Sequence, residues 1–496
     1  MAACASYPEG SASKADFIIE NVTVVSPERK TALEHANVAI ENGRIAAVTK
    51  SNFIGKSSVT VDGRGLYLIP GLIDSHVHLY NATGLRRQYA RNYQALYDDY
   101  MEQLPRSYLY YGYTTLLELN ANTKTNARFL SEPDHPDLFH CSQGLILHNG
   151  FMASELPTNR LADIYPNYLH DSYGKAPLPE GARPEDHNPE SVVRKVTEAG
   201  GICVKMYYEE ALWAGDDKPD YELPSKQIIS DVVKAAHAHK MPVVLHATSP
   251  AGFKVGLYAG VDIFAHGPWD WPGVKFDDPK IPDDIEGLVE RLANSPVSLQ
   301  PTMRTIRNAA SLFEPKLLND PALNEVLPPR YLEYLRTDAQ AQRDAFLNIF
   351  GKSLPPGASE DEIAGLQKAF NSRYERLVGL MDAAGVELLF GTDTAVGGFG
   401  WGNPPGLNGY WEMQGWARGG VSLRTIFNAA TIRNAKAFHL DQEIGTIERG
   451  KRANLLLLRS NPLKSIAAYD TITDIFIDGK RIKRADLSAA SSQIGN

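Results

Sequence analysis

The run Leu66-Tyr67-Leu68-Ile69-Pro70-Gly71-Leu72-Ile73-Asp74-Ser75-His76-Val77-His78 decides how this chain is read. It is strand-like as far as Ser75 and then sets two imidazoles two residues apart. In an extended strand, residues i and i+2 face the same side, so His76 and His78 project together toward one point. Neutral imidazole is the commonest side-chain metal ligand near physiological pH. A His-x-His pair at a strand end is therefore a candidate half of a metal site. Two histidines on one strand face also suit ordinary packing, so the other ligands must come from elsewhere in the chain.

Four further candidates end, or nearly end, runs that read as buried parallel strands. Gly201-Ile202-Cys203-Val204-Lys205-Met206 carries Lys205, and Met241-Pro242-Val243-Val244-Leu245-His246 closes on His246. Gly260 to Gly267 brings His266 to its end, and Val386 to Asp393 closes on Asp393. Short apolar runs closed by a polar residue suit strands covered on both faces by helices. Amphipathic stretches lie between them: from Ser225 to Lys240, Ile228, Ile229, Val232, Val233 and Ala236 fall at helical spacing. Repeated strand-then-helix units predict an α/β fold, a (β/α)8 TIM-like barrel with its site at the carboxyl ends of the strands.

Singly, each residue has a bland reading. A lone histidine is usually a hydrogen-bonded core or surface group. Lys205 has Glu209 and Glu210 nearby as ion-pair partners, and Asp393 can satisfy turn amides. Six ligand-type residues at successive strand ends are a different matter, and together they point to a metal centre.

The chain at this point resembles the metal-dependent amidohydrolase superfamily over nearly its whole length. The matching pieces are Pro70 to His78, the Gly112-Tyr113-Thr114-Thr115 turn, His246, His266, Gly391-Thr392-Asp393, and the tail from Ala430-Thr431 through Ile444 to Leu455. Asn454 departs from the family's usual aspartate, at a position away from the metal site. The resemblance is to the binuclear branch, in which the strand-four lysine is carboxylated, and to its prolidase and N-acyl amino acid hydrolase subgroup. A free lysine, with a reference pKa of about 10.4, is a cation and binds no metal; a carbamate on Lys205 is an anion able to bridge two ions.

The resemblance implies that His76, His78 and Asp393 hold one divalent ion and His246 with His266 a second, bridged by carboxylated Lys205 and a hydroxide. Zinc is the expected ion, with manganese and cobalt compatible. Asp393 is the expected proton carrier. The implied reaction is hydrolysis of an amide or peptide-like C–N bond in an N-acyl amino acid, a dipeptide or an apolar aryl or acyl amide. Alternatives are lactone or phosphotriester hydrolysis, a one-metal deaminase or imidazolone-type hydrolase, and a non-catalytic assembly protein on the same barrel. Deaminases of this fold carry a glutamate shortly after the strand-five histidine, and Ala247 to Gly252 has none. Candidate substrate contacts are Tyr207, Tyr208, His148 and Arg304, with Trp269, Trp271, Trp401 and Trp411 as candidate pocket aromatics.

Composition frames these expectations. The chain has 496 residues, 43% hydrophobic content and a formal net charge of −9. No basic run offers a footprint for nucleic acid, and no apolar stretch approaches the ~20 residues of a membrane helix. A small-molecule substrate is the expected partner, in a monomer or a homo-oligomer. The 3 cysteines make no disulfide framework,, and Cys203, inside a buried strand, reads as a packed thiol. A cytoplasmic location is the default; a lipid-anchored or periplasmic one follows if a signal upstream of Cys4 was removed.

The organisation is discontinuous. Residues 1–14 read as a flexible leader. Residues 15–71 and 441–486 read as two parts of one small β-sandwich, with hairpin turns at Asn42-Gly43 and Asp478-Gly479,. The barrel runs over 72–440, and 487–496 form a tail. Insertions from Ser154 to Pro189 and from Glu314 to Gln367 follow strands and can overhang the site. Gly397 to Gly402 reads as a mobile post-strand loop.

Overall fold

The computed structural model describes residues 15–51, 57–85, 91–154, 156, 160–211, 221–275, 278–337, 344, 357–396 and 400–491. The leader with Cys4, residues 397–399 of the glycine-rich loop and parts of both insertions lie outside the described residues.

Both chain ends meet in one eight-stranded sheet. The amino-terminal part supplies β1 (Ala15–Val24), β2 (Leu33–Glu41), β3 (Arg44–Thr49), β4 (Ser57–Asp62) and β5 (Tyr67–Pro70). The carboxyl-terminal part supplies β14 (Leu455–Leu458), β15 (Ile472–Ile477) and β16 (Lys480–Lys483). β14 joins the halves by pairing antiparallel with β5, Leu456 opposite Ile69. Ile19, Val22, Val38, Leu68, Leu455 and Phe476 share one buried cluster. Asn42 and Gly43, like Asp478 and Gly479, have positive φ at both positions, as a type I′ hairpin turn requires. The two hairpin turns abut: a Cβ on Gly43 would lie 3.3 Å from the Gly479 nitrogen.

Between these halves the described residues form eight parallel strands in two sheets. The first is three-stranded: β6 (Leu72–Val77), β7 (Tyr113–Glu118) and β8 (Asp137–His140). The second is five-stranded: β9 (Val204–Tyr208), β10 (Val243–Ala247), β11 (Ile263–Ala265), β12 (Ser298–Gln300) and β13 (Glu387–Leu388). Each strand is followed by at least one helix. The helix Lys226–Ala238 is typical: the Ser225 hydroxyl caps it by accepting from Ile228 N, and Ile228, Ile229, Val232, Val233 and Ala236 are buried. Between β8 and β9, Ile202 N donates to His140 O at 2.9 Å and Leu145 N to Lys205 O at 2.8 Å. Between β13 and β6, Ser75 N donates to Phe390 O at 3.1 Å and Asp393 N to His76 O at 2.7 Å.

Ile73, Leu117, Cys141, Cys203, Val244, Ile263 and Leu389 pack into one cluster lined by alternate strand residues. Within it Cys141 and Cys203 form a disulfide. This corrects the reading of Cys203 as a packed free thiol: its partner lies 62 positions away in sequence, so only the pairing of neighbouring strands brings the sulfurs together.

Candidate metal centre

Simple alternation along the strands does not by itself aim the ligand-type side chains. Ile73 packs into the inner cluster and Val77 into the helix-covered core, although both are odd-numbered. A register shift between Asp74 and Val77 separates them; such a bulge re-aims the side chains that follow. His266 directly follows β11, Asp393 lies five residues past β13, and their φ values are 75° and 57°. Left-handed backbone at a non-glycine residue costs about 1–3 kcal/mol and clusters at functional sites.

The ligand-type residues converge on Asp393. Its Oδ1 lies 3.2 Å from His76 Nε2 and 3.0 Å from His78 Nε2, and its Oδ2 4.0 Å from His266 Nδ1. The His266 ring is 5.2 Å from that of His76 and 4.5 Å from that of His246. One ligand atom each from His76, His78 and Asp393 falls within 4.8 Å of the others. Asp74 ties this corner together: its Oδ1 accepts from His76 N at 3.2 Å and Thr392 N at 3.0 Å, and its Oδ2 from Thr392 Oγ1 at 2.6 Å.

Three histidines are oriented through their outer nitrogens. His78 Nδ1 meets Glu118 Oε1 at 3.1 Å, His246 Nε2 meets Glu209 Oε2 at 2.8 Å, and His266 Nδ1 meets Thr302 Oγ1 at 2.7 Å. Donation from His246 Nε2 to the Glu209 carboxylate leaves His246 Nδ1 as a lone-pair site, while His78 Nε2 faces Asp393 Oδ1. Glu118 and Glu209 are anchored in turn, accepting from Asn120 N at 2.9 Å and Ala211 N at 2.7 Å. Such outer partners fix the tautomer and ring angle of metal-ligating histidines. Sequence reading missed Glu118 and Thr302, and took Glu209 for a partner of Lys205; the only signal was a buried-strand run ending on a carboxylate. Glu209→Gln is expected to weaken metal affinity by about 10–100-fold, read by titration against a competing chelator.

Electrostatics holds His76 and His266 neutral, as ligands must be, but not His78. Burial drives the His76 pKa down to about 3 and that of His266 well below its ordinary range. Burial also acts against charge on Asp393, but His76, His78 and His266 around it hold its carboxyl well below the usual range. For His78 burial is outweighed by Asp393 and Glu118, which raise it to about 9. Lys205 is 1% exposed; burial brings its amine down to about 7, against the pull of Asp393. Its Nζ has no hydrogen-bond partner, and neither has His76 Nδ1; His76 Nε2 faces Asp393 Oδ1. Buried polar atoms are rarely left so. Unpartnered nitrogens, a carboxylate held anionic and histidines oriented from behind fit a divalent-metal centre.

The remaining candidates separate by strand face. Tyr207, two residues past Lys205, brings its ring to 5.6 Å from that of His246. Tyr208 faces the other way: a Cβ on Gly252, in the helix Pro250–Ala259, would lie 3.0 Å from its ring. Arg304 is buried, with Nε donating to Asn408 Oδ1 at 2.9 Å, a second nitrogen to Gly402 O, and its guanidinium 4.8 Å from the Trp411 ring. It holds loops together, which accounts for both residues without a substrate carboxylate. His148 Nε2 bonds Pro177 O at 3.1 Å within the insertion. Glu210 meets the Ser249 hydroxyl, so neither glutamate pairs with Lys205. Of the tryptophans, Trp269 stands 5.0 Å from His266; Trp271 is buried against Arg373 at 4.2 Å, and Trp401 is buried as well.

The sequence profile described as "Amidohydrolase family" matches residues 67–482. An adenine deaminase from Clostridium botulinum (strain Loch Maree / Type A3) is 34% identical over 79 residues, which are 16% of this chain and 13% of that protein. The chain thus spans only a small part of the curated relatives it matches. Among solved structures, an Xaa-Pro dipeptidase with bound methionine in its active site superposes with a TM-score of 0.59 at 18% identity, covering 94% of this chain and 99% of that one. A molinate hydrolase superposes with a TM-score of 0.65 at 17% identity, covering 96% of each chain.

Proposed function

This chain belongs to the amidohydrolase family, and we propose that it hydrolyses a C–N bond, of amide or peptide type, at a two-metal centre bridged by carboxylated Lys205. The observation that carries this reading is the Lys205 amine, buried and without a hydrogen-bond partner beside His76 and His266, which burial keeps neutral. A buried ammonium with no hydrogen-bond partner is costly. A neutral amine near pH 7 is the form that adds carbon dioxide, and the resulting carbamate is an anion suited to metals.

His76, His78 and Asp393 would hold one ion, His246 and His266 the other. When bound, the ions supply a nucleophilic oxygen from water at neutral pH and draw electron density from the scissile carbonyl. Asp393 Oδ1, beside both members of the His-x-His pair, accepts the proton of the attacking water and returns it to the leaving nitrogen. Thr305 Oγ1 donates to Asp393 Oδ2 at 3.1 Å and keeps that carboxylate aimed. Glu118, Glu209 and Thr302 hold their histidines still.

Four aromatic rings stand around the histidines: Tyr80 at 6.0 Å from His78, Phe151 at 5.9 Å and Tyr207 at 5.6 Å from His246, and Trp269 at 5.0 Å from His266. They support an apolar acyl or aryl group on the substrate, in a dipeptide, an N-acyl amino acid or an aryl amide. We read the two parallel sheets as one (β/α)8 barrel over 72–440, with 15–71 and 441–486 as the flanking β-domain. The Cys141–Cys203 disulfide supports maturation in an oxidising compartment, since such bonds are rare in the cytosol,. No described helix is long and apolar enough to cross a membrane.

The test is a panel of dipeptides, N-acyl amino acids and aryl amides with zinc-loaded protein. Chelation is expected to abolish turnover and added zinc to restore it; full turnover by metal-free protein would overturn the proposal. A second reading, deamination, has in its favour the local match to adenine deaminases. Ammonia release from adenine, with no cleavage of any amide, would select it. Lactones and phosphotriesters in the same panel test the remaining chemistry of the family.

A further inference from the structure

The Cys141–Cys203 disulfide lies where the ladder between β8 and β9 is interrupted. Strand three leaves its neighbour after Cys141, turns through Ser142 with φ of 57°, and rejoins at Leu145, whose N donates to Lys205 O at 2.8 Å. Gly144, inside this gap, has no room for a side chain: a Cβ there would lie 2.8 Å from the Tyr207 hydroxyl. Backbone pairing across the seam therefore rests on Ile202 N to His140 O at 2.9 Å below the gap and Leu145 N above it. The disulfide closes the same seam covalently, with both cysteines fully buried.

Cys203 immediately precedes β9 (Val204–Tyr208), two residues before Lys205. The Lys205 amine has no hydrogen bond to fix it. Its position follows from the register of its own strand, set on one side by the ladder to β10, where Val244 pairs with Lys205, and tied on the β8 side by the disulfide just before the strand.

We propose that the Cys141–Cys203 disulfide is a positioning element for Lys205, holding it where carboxylation is favoured, and that a dithiol reductant disarms the site by releasing it. Reduction passes two electrons and two protons from the dithiol to the S–S bond. That bond breaks into the Cys141 and Cys203 thiols while the dithiol closes into its own cyclic disulfide. The inference rests on the carboxylated-lysine reading above.

The experiment compares full-length oxidised protein with protein reduced by dithiothreitol in mild denaturant and returned to native buffer under the same dithiol, alongside a Cys141→Ser/Cys203→Ser double variant. Of the 3 cysteines, two are in the disulfide, so thiol titration in denaturant should count Cys4 alone before reduction and all three after it. Circular dichroism reports folding. Carbon-13 bicarbonate, followed by NMR of the lysine carbamate, reports the site independently of turnover.

In the reduced protein and the variant, the bicarbonate needed for half-maximal carbamate should rise by roughly tenfold, the scale of supporting-residue losses at metal sites. The kcat should fall in step, with KM little changed and excess bicarbonate restoring both carbamate and kcat. A merely structural bond would not give rescue by bicarbonate. Identical bicarbonate dependence in folded oxidised and reduced protein overturns the positioning role and leaves the Lys205 reading standing. Three free thiols in oxidised protein with full carbamate overturns it too. Absence of any carbamate in oxidised protein overturns both.

Discussion

Asp393→Asn should leave a folded protein whose kcat is lower by about 10²–10⁴, the range contributed by a positioned proton carrier. The side chain keeps its size, so Thr305 and the His76 and His78 rings retain a neighbour of the same shape. What disappears is the anion that those histidines hold well below its usual pKa. An amide neither takes a proton from water nor returns it to a leaving nitrogen. Because the lost interaction belongs to the transition state, kcat and kcat/KM should drop together. Steady-state kinetics on the best substrate, with metal content measured on the same sample, checks this. An unchanged kcat at equal metal content would remove Asp393 from the proton path.

Much of this candidate site was legible because its ligand-type residues close short apolar runs, which the His-x-His spacing and the strand-helix alternation make visible in one dimension. The end-sheet turns were legible for a local reason too, since Asn-Gly and Asp-Gly supply the positive φ that a tight hairpin needs. The side chains that steady the histidines were not. Glu118 and Thr302 owe their roles to neighbouring strands: Glu118 reaches His78 across 40 positions and Thr302 reaches His266 across 36. The disulfide hid for the same reason. Tyr208 and Arg304 misled because a polar residue near a ligand in sequence can point to the helix layer or be spent on loop carbonyls. Left-handed backbone at His266 and Asp393 also leaves no trace in composition, although it aims both side chains.

Lys205→Met should abolish turnover and, at the same time, make the metal-free protein more stable. The two effects have one cause. Lys205 is 1% exposed and its nitrogen has no hydrogen-bond partner, so the fold bears most of the desolvation of an amine that only a carbamate would use. A thioether of similar length fills the space without that demand, and removing an unsatisfied buried polar group is worth about 1–3 kcal/mol. The pH dependence gives a sharper signature. Burial lowers the folded-state pKa from 10.5 to about 7. Below that value both folded and unfolded chains carry the proton, and the penalty of a buried cation is present in full. Across the window from about 7 up to 10.5 the unfolded chain still binds a proton that the folded one has released. Stability of the metal-free wild type must therefore rise with pH through that window, while the methionine variant lacks this contribution. Denaturant melts of both metal-free proteins at neutral and alkaline pH measure it. If the two proteins share the same slope and the variant is the weaker, the Lys205 amine is not the strained, unpaired group on which the two-metal reading depends.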